Sequence, residues 1–210
     1  MDPEITKMFH QARRHLSRRD ATLRELIRPI GPCTLRHSSD GFAVLVHSII
    51  SQQISTKAAT AIRTRLIASL APAAITVTSI RKARDAHFRQ AGLSATKIRS
   101  LRDLAEKVHQ GHVPLDKLHE LPDEKIIECL IAVHGIGPWT AQMFLIFSLG
   151  RLDILPVADF GLRAGVQRHY KLRKLPDKDR LHKLSEPWRP FRSIATWYIW
   201  RSLGGVAQSD

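Results

Sequence analysis

Residues 130–141 read Leu-Ile-Ala-Val-His-Gly-Ile-Gly-Pro-Trp-Thr-Ala, and this stretch decides the fold. An apolar helical run ends at a pair of glycines, and a new helix begins at once. Gly135 and Gly137 allow backbone φ angles that residues with a Cβ atom resist, and Pro138 suits the first turn of a helix. We therefore predict two helices that meet in a tight hairpin.

The second helix of this hairpin begins with backbone amides at the positive end of its dipole. With only hydrogen as a side chain at Gly135 and Gly137, these amides form a site for a phosphate oxygen. Such a contact does not depend on base identity. An ordinary helix-turn-helix corner with a glycine cap is the alternative, since Gly-x-Gly alone is a weak signal.

The charge of the chain favours a polyanionic partner. Lys and Arg number 33 against 19 Asp and Glu, which gives a net charge of +14 and a pI of about 10.6. Nucleic acid is the leading candidate, although ribosomal, membrane-surface and heparin-binding proteins share this balance. The charge selects a class of partner and no chemistry.

Two cysteines, Cys33 and Cys129, are too few for a disulfide framework or an iron–sulfur cluster held by cysteines. We therefore expect a reducing, intracellular location, in the cytoplasm or nucleoid, or in the nucleus of a eukaryote. No stretch of 18 apolar residues occurs, so we expect neither secretion nor a membrane span.

Apolar residues recur at helical spacing along most of the chain, and strand-like alternation is hard to find. We therefore predict an all-α fold and a single domain over residues 1–210. Apolar stripes at 42–50 and 126–131 mark two helices, and further helices are predicted at 3–16, 20–28, 57–70, 78–87, 95–109, 160–168 and 192–203. The predicted start signals are Ser39 or Asp40, Ser55 or Thr56, and Asp123 after Pro122. Residues 204–210 are small and polar, and we expect them to fray.

Asp159 follows an apolar segment and opens a new helix. Taken alone, it is more simply a helix N-cap than a catalytic residue. The two roles are compatible, because a cap would hold an ionised carboxylate in place, as the stabilisation of a developing cation requires.

These features together resemble the helix-hairpin-helix (HhH-GPD) DNA glycosylase superfamily, in which an Asp at a helix start follows a Gly-x-Gly hairpin. Here the interval from Gly135 to Asp159 is 24 residues. Residues 42–55 and 91–97 resemble further segments of that family, so the likeness extends from about residue 42 to 201. It implies a two-lobed helical fold, with the active-site cleft between the lobes. The N- and C-terminal helices would form one lobe, and the middle helices with the hairpin at 122–150 the other.

Within the superfamily the chain looks closest to the 3-methyladenine DNA glycosylase II (AlkA) branch. Trp139 stands where strand-cleaving relatives place a lysine nucleophile, and an indole cannot form a Schiff base. The resemblance therefore implies a monofunctional enzyme of base excision repair that hydrolytically releases alkylated purines of the 3-methyladenine and 7-methylguanine type. The chain resembles compact members that lack the N-terminal β domain of the bacterial archetype.

The resemblance also implies roles for individual residues. Asp159 supports the cationic sugar and orients water, and Gln53 is the wedge that fills the vacated base stack. The base pocket is assigned to Trp139, Trp200 and Met143, the last standing where the archetype has a tyrosine. Phosphate-binding amides are assigned to Gly135, Gly137 and Thr140. Carbonyls that could hold Na⁺ or K⁺ are assigned to Ile131, Val133 and Ile136. No cofactor is required, and an iron–sulfur cluster is not expected.

Several of these residues have simpler readings. Trp200 could be core together with Ile194 and Trp197, and Gln53 could be a polar turn residue. The pair His109 and His112 lacks companions for a metal site. Basic residues between 171 and 183 could contact DNA phosphates or form a solvated face.

Three functional hypotheses remain at this point. The partner expected in each is DNA. In the favoured hypothesis the protein is a monomer that binds damaged double-stranded DNA and has no membrane association. The alternatives are excision of a neutral damaged or mispaired base such as uracil or hypoxanthine, and a non-catalytic helix-hairpin-helix DNA-binding module.

Overall fold

A computed structural model describes residues 3–204, and these are helical with no β-strand. The prediction of an all-α fold is confirmed. The α-helices are α1 (Pro3–Arg19), α2 (Ala21–Ile30), α3 (Gly41–Ser51), α4 (Thr56–Leu70), α5 (Val77–Lys82), α6 (Asp85–Ala91), α7 (Ala95–His109), α8 (Asp123–Ile131), α9 (Pro138–Phe147), α10 (Phe160–His169), α11 (Lys178–Ser185) and α12 (Arg192–Ser202). Short 3₁₀ helices span Leu118–Glu120 and Glu186–Trp188. The predicted fraying concerns residues that, except for Gly204, lie outside the described range.

Capping side chains explain where several helices begin. Asp40, rather than Ser39, accepts the Ala43 amide at the start of α3, and Ser55, rather than Thr56, accepts the Ala58 amide at the start of α4. Asp123 is not a cap: Pro122 occupies that position, and Asp123 lies in the first turn of α8. Its negative charge is favourable there because it faces the positive end of the helix dipole.

One predicted helix has wrong boundaries, and one helix was not predicted. The single helix predicted at 78–87 is two helices, because the chain turns to extended geometry at Ala83 and Arg84. Helix α11 was not predicted, since charged residues dominate its sequence and Leu181 is its only buried large apolar side chain. A helix with so narrow an apolar stripe gives little periodic signal.

The described residues form two compact units. One unit contains α3 to α9, within His37–Leu149, and its helices pack as the pairs α3 with α9, α4 with α6, α5 with α7, and α8 with α9. Gly41 allows close packing at one of these contacts, because a Cβ atom there would lie 3.0 Å from the Phe144 ring. The prediction that residues 1–210 form one domain stays a prediction.

The other unit contains α1, α2, α10, α11 and α12, from the residues up to Arg36 and from Gly150 onward. Helix α12 is its centre, since every residue from Ser193 to Trp200 is buried and it packs against α2 and α10. Among the described residues, no helix is long and apolar enough to cross a membrane.

Asp20 joins three segments of this second unit. Its Oδ1 accepts the Leu23 amide as the cap of α2. Its Oδ2 accepts the Tyr170 hydroxyl at 2.5 Å and the Trp188 indole N–H at 2.9 Å. Burial and the neighbouring carboxylate raise the pKa of Tyr170 above its usual value. Asp20 therefore fixes the end of α10 against the start of α2.

Candidate active site

Asp159 is the N-cap of α10. The helix begins there because the Asp159 side chain accepts the Leu162 amide, with 2.6 Å between Oδ1 and the nitrogen. The same oxygen accepts the Trp200 indole N–H at 2.8 Å. Asp159 is half-buried. The capping prediction is confirmed, and the carboxylate is held by two N–H donors from different helices.

Trp200 contacts the carboxylate and is buried. Its exposed fraction is 8%, whereas Ile194 and Trp197 on the same helix are 0% and 2% exposed. A Cβ atom on Gly161 would lie 3.3 Å from the Trp200 ring, so the indole lies against the first turn of α10. Trp200 therefore differs from the two core residues, because its polar edge is directed to Asp159.

The absence of a side chain at Gly165 brings α10 and α12 together. A Cβ atom at Gly165 would overlap the Cγ2 methyl of Ile199. Since Gly165 lies in α10 and Ile199 in α12, glycine allows the two helices to approach closely. This approach supports the bond between Asp159 and Trp200, whose residues belong to the same pair of helices.

The loop before Asp159 is fastened to the start of α12. Asp153 accepts bonds from Arg192 Nε at 2.7 Å and from Arg189 at 3.0 Å. The Ser193 hydroxyl donates to the Arg151 carbonyl at 2.7 Å and accepts the Ile154 amide at 2.9 Å. Five residues after Ile154 the chain reaches Asp159, so these bonds fix the direction from which it enters the site.

The predicted hairpin is present between α8 and α9. Gly135 has φ of +78°, and a Cβ atom there would overlap the Ser100 hydroxyl. Glycine is therefore required at Gly135 by both backbone and packing. The same argument is wrong for Gly137, whose φ of −100° suits any residue. A Cβ atom at Gly137 would meet nothing within 4 Å, so glycine leaves open space at the start of α9.

Helix α7 holds the first half of the hairpin. Asp103 Oδ2 accepts the His134 amide at 2.6 Å and the Lys107 ammonium at 2.8 Å, and the same ammonium donates to the Ala132 carbonyl. Burial favours a raised pKa for Asp103, but the bonds from Lys107 and His134 outweigh it and the pKa lies below its usual value. An ionised carboxylate on α7 therefore attaches the hairpin to that helix.

Gln53 lies in the turn between α3 and α4, which we call the 52–55 turn. It is exposed and has φ of +59°. This left-handed region favours glycine and costs other residues about 1 kcal/mol. A turn that served only to connect two helices would be better made with glycine there. Gln53 therefore adopts a conformation that glycine adopts at lower cost, and its role as a wedge stays a prediction.

Gln52 connects the 52–55 turn to the hairpin. Its Nε2 donates to the Gly135 carbonyl at 2.9 Å and to the Thr140 hydroxyl at 3.0 Å. Lys97 Nζ donates to the Gln52 carbonyl at 2.9 Å and to the Ile50 carbonyl at 2.6 Å. The structure thus brings together the predicted wedge turn and the predicted phosphate site.

The remaining predicted residues lie as follows. Trp139 is half-buried in the first turn of α9, and Met143 is buried one turn later. The Val133 carbonyl accepts the Ile136 amide at 3.0 Å within the hairpin, and Ile131 is the last residue of α8. The basic residues Lys171, Arg173, Lys174, Lys178, Arg180 and Lys183 are exposed. No group of three or more potential metal-binding side chains occurs in the described part of the chain, His109 and His112 included.

Four residues of interest were missed by the sequence analysis as site components: Gln52, Lys97, Asp153 and Phe160. Phe160 directly follows Asp159, and 70% of its surface is exposed. An aromatic residue at the first helical position, before the apolar stripe begins, was a usable signal. The contacts of Gln52, Lys97 and Asp153 span 36 to 88 residues of sequence, so no local pattern could reveal them.

Comparison with known proteins identifies the family. A family model described as "HhH-GPD superfamily base excision DNA repair protein" matches residues 46–190. DNA-3-methyladenine glycosylase 1 of Schizosaccharomyces pombe is 35% identical over 204 residues, which cover 95% of this chain and 90% of that protein. The predicted resemblance is confirmed.

Two solved structures agree with this result. The 3-methyladenine DNA glycosylase Mag1 of Schizosaccharomyces pombe, in complex with abasic DNA, matches with a TM-score of 0.85 and 35% identity, covering 93% of this chain and 98% of that one. A DNA-3-methyladenine glycosidase from Bacillus halodurans matches with a TM-score of 0.75 and 34% identity, covering 99% and 92%. This chain belongs to the HhH-GPD superfamily of base excision DNA repair proteins.

Proposed function

We propose that this protein is a monofunctional DNA glycosylase that extrudes alkylated purines from DNA and hydrolyses their N-glycosidic bond. The observation that carries the proposal is the Asp159 carboxylate, fixed by the Leu162 amide and the Trp200 indole. Relatives that are 34% and 35% identical over most of this chain are named 3-methyladenine glycosylases or glycosidases, which supports the substrate class.

Charge development explains the choice of an alkylated purine. Alkylation at a ring nitrogen makes the base cationic, so its bond to the sugar is already weakened and little general acid catalysis is required. As the bond breaks, positive charge moves to the sugar. A carboxylate that is already oriented stabilises this charge without reorganising during the reaction. Asp159 meets this requirement, because two N–H donors hold Oδ1.

The attacking group in this proposal is water. Trp139 lies in the first turn of α9, where it offers an indole and no amine. Without an amine nucleophile at this position, no Schiff base with the sugar forms there. Asp159 orients the water, the free base leaves, and the product is an abasic site in an unbroken strand.

Aromatic side chains select the extruded base. The indoles of Trp139 and Trp200 attract a cationic base by about 0.5 to 2 kcal/mol each. Met143, one helical turn after Trp139 in α9, contributes a polarisable side chain. Phe160 adds an exposed aromatic face next to Asp159.

DNA binding in this proposal uses the hairpin and the 52–55 turn. Amides of Gly135, Gly137 and Thr140 bind a phosphate, and the open space beside Gly137 admits its oxygen atoms. Extrusion of the nucleotide costs a few kcal/mol. Gln53 offsets part of this cost by filling the vacated stack, which explains an exposed glutamine with positive φ.

The proposal also includes a monovalent cation at the hairpin and DNA as the partner. Carbonyls of Ile131, Val133 and Ile136 suit Na⁺ or K⁺, since a carbonyl oxygen that accepts one amide, as that of Val133 does, keeps a second lone pair. A cation there would add positive charge beside the bound phosphate. The protein acts as a monomer on damaged double-stranded DNA inside the cell, and it requires no other cofactor.

A panel of duplexes, each with one altered base, tests the function. We expect release of free 3-methyladenine and 7-methylguanine, with no strand nicking until the abasic product is treated with alkali. Release of only uracil or hypoxanthine would move the substrate class to neutral bases. Tight binding to an abasic duplex without release of any base would make the protein a binding module and contradict the proposal.

Replacing Gly137 with alanine should weaken DNA binding without destabilising the protein. The backbone tolerates alanine at φ of −100°, and the new methyl group meets no protein atom within 4 Å. It does occupy the space proposed for a phosphate oxygen, so the Kd for an abasic duplex should rise about 10-fold. Fluorescence anisotropy measures the Kd, and thermal unfolding measures stability.

The contrasting variant is Gly135→Ala. Its methyl group would overlap the Ser100 hydroxyl and its φ of +78° is strained for alanine, so the melting temperature should fall. If Gly137→Ala binds DNA as tightly as the wild type, no phosphate binds at the start of α9.

A further inference from the structure

Lys97 stabilises the C-terminal end of α3. Its half-buried ammonium group donates to the carbonyls of Ile50 and Gln52, the residues on either side of the last helical position, Ser51. A helix ends with carbonyls that lack partners within the helix, and a cation there is also favoured by the dipole. Burial lowers the pKa of Lys97 below its usual value. Lys97 thus provides hydrogen-bond donors to carbonyls at the end of α3, a role that backbone amides commonly have where a helix ends at glycine.

Gln52 extends this connection to the hairpin. Its backbone carbonyl is held by Lys97, and its side-chain amide donates to the Gly135 carbonyl and the Thr140 hydroxyl. Both acceptors belong to the segment proposed to bind phosphate. Gln53 is the next residue. Gln52 has φ of −55° and ψ of 128°, and the Ile54 amide donates to the Ser51 carbonyl at 3.4 Å, so the φ of +59° at Gln53 is that of the third residue of a type II turn. One residue therefore joins the phosphate site to the wedge.

We propose that Lys97 and Gln52 are positioning residues that set the wedge Gln53 in register with the phosphate held by the hairpin. This inference rests on the proposed function, because the proposed function assigns the wedge role to Gln53 and phosphate binding to the hairpin. The ammonium fixes the backbone on one side of Gln53, and the Gln52 side chain sets its distance from Gly135. Loss of either contact leaves the hairpin intact but lets the 52–55 turn move relative to it.

Lys97→Met tests the proposal, since methionine keeps the unbranched apolar part of the side chain, one atom shorter, and removes its donors. Single-turnover excision from a fully paired duplex should fall by about 10-fold to 100-fold. Excision of the same base from a single-nucleotide bulge, where the base is already unstacked, should stay within about twofold. Gln52→Met should give the same pattern, and Lys97→Arg should restore much of the paired-duplex rate.

Two controls separate positioning from general damage. Lys125→Met removes the same charge from an exposed lysine of the same unit, which pairs only with Glu128 among the contacts described, and should leave both rates unchanged. In a Gln53→Ala background there is no wedge to position, so adding Lys97→Met should cost less than about twofold. The Kd for an abasic duplex reports the hairpin and should change little.

The results that overturn the proposal are equal losses on paired and bulged substrates, or an undiminished loss in the Gln53→Ala background. A 2-aminopurine placed beside the target base provides a second readout, because its fluorescence rises when its neighbour is extruded. This signal does not require base release. If the wild-type protein releases no base, the proposed function fails, whereas a fluorescence rise that Lys97→Met abolishes still supports the positioning role.

Discussion

Replacing Asp159 with asparagine should lower the single-turnover rate of base release by at least about 10² to 10³-fold, a loss typical of removing one electrostatic group from a reaction centre. Asparagine caps helices as well as aspartate does. It can also accept the Leu162 amide and the Trp200 indole through its one carbonyl oxygen, since both bonds use Oδ1 in the native protein. The variant therefore removes the charge and keeps these two bonds.

The controls for this variant are binding and a second cap. The Kd for an abasic duplex and the melting temperature of Asp159→Asn should match the wild type. Asp177 caps α11 in the same unit and is exposed, so Asp177→Asn should retain full activity. If Asp159→Asn releases base at the wild-type rate, Asp159 is only a structural cap.

Asp20→Ala is expected to cause the largest loss of stability. It removes the cap of α2 and leaves the Tyr170 hydroxyl and the Trp188 indole N–H without their acceptor. Loss of a cap costs about 1 kcal/mol, and each buried donor left unsatisfied costs about 1 to 3 kcal/mol. We expect the free energy of unfolding to fall by roughly 3 to 7 kcal/mol, measured by urea denaturation.

Two smaller changes separate the contributions at Asp20. Tyr170→Phe removes one donor and leaves the other two bonds in place, so it should cost about 1 kcal/mol. Asp177→Ala removes only a helix cap and should also cost about 1 kcal/mol. If Asp20→Ala costs no more than Asp177→Ala, the bonds from Tyr170 and Trp188 contribute nothing to stability.

Local patterns predicted the helices and several of their starting residues. Asp40, Ser55 and Asp159 precede apolar helical stretches, and each accepts an amide three residues later. This signal is local, because capping depends on the residues of one turn. The break between α5 and α6 was not predictable in this way, since the sequence around Ala83 has neither glycine nor proline.

Contacts over long intervals of sequence could not be predicted. The indole of Trp200 reaches Asp159 across 41 residues, and Gln52 reaches Thr140 across 88. The stripe on α12 gave Trp200 the pattern of a core residue, and its burial alone agrees with that interpretation. Its bond to the carboxylate is what distinguishes it. Family resemblance assigned Trp200 to the base pocket, and that assignment stays a prediction.

The glycines of the hairpin were predicted for partly wrong reasons. Only Gly135 needs the conformational freedom that both were assigned. Gly137 has ordinary geometry and open space around it. From the sequence, both glycines were assigned a backbone reason and a steric reason, and the structure shows that the backbone reason applies only at Gly135.

The central claim is that Asp159 promotes attack by water and that no amine of the protein takes part. It is tested most directly by one turnover on a duplex that carries a single 7-methylguanine, with borohydride present to trap any covalent intermediate. We predict free 7-methylguanine in equal amount to alkali-labile sites, an intact strand before alkali treatment and no cross-linked protein. A trapped protein–DNA species, or strand cleavage that accompanies base release, would contradict the account.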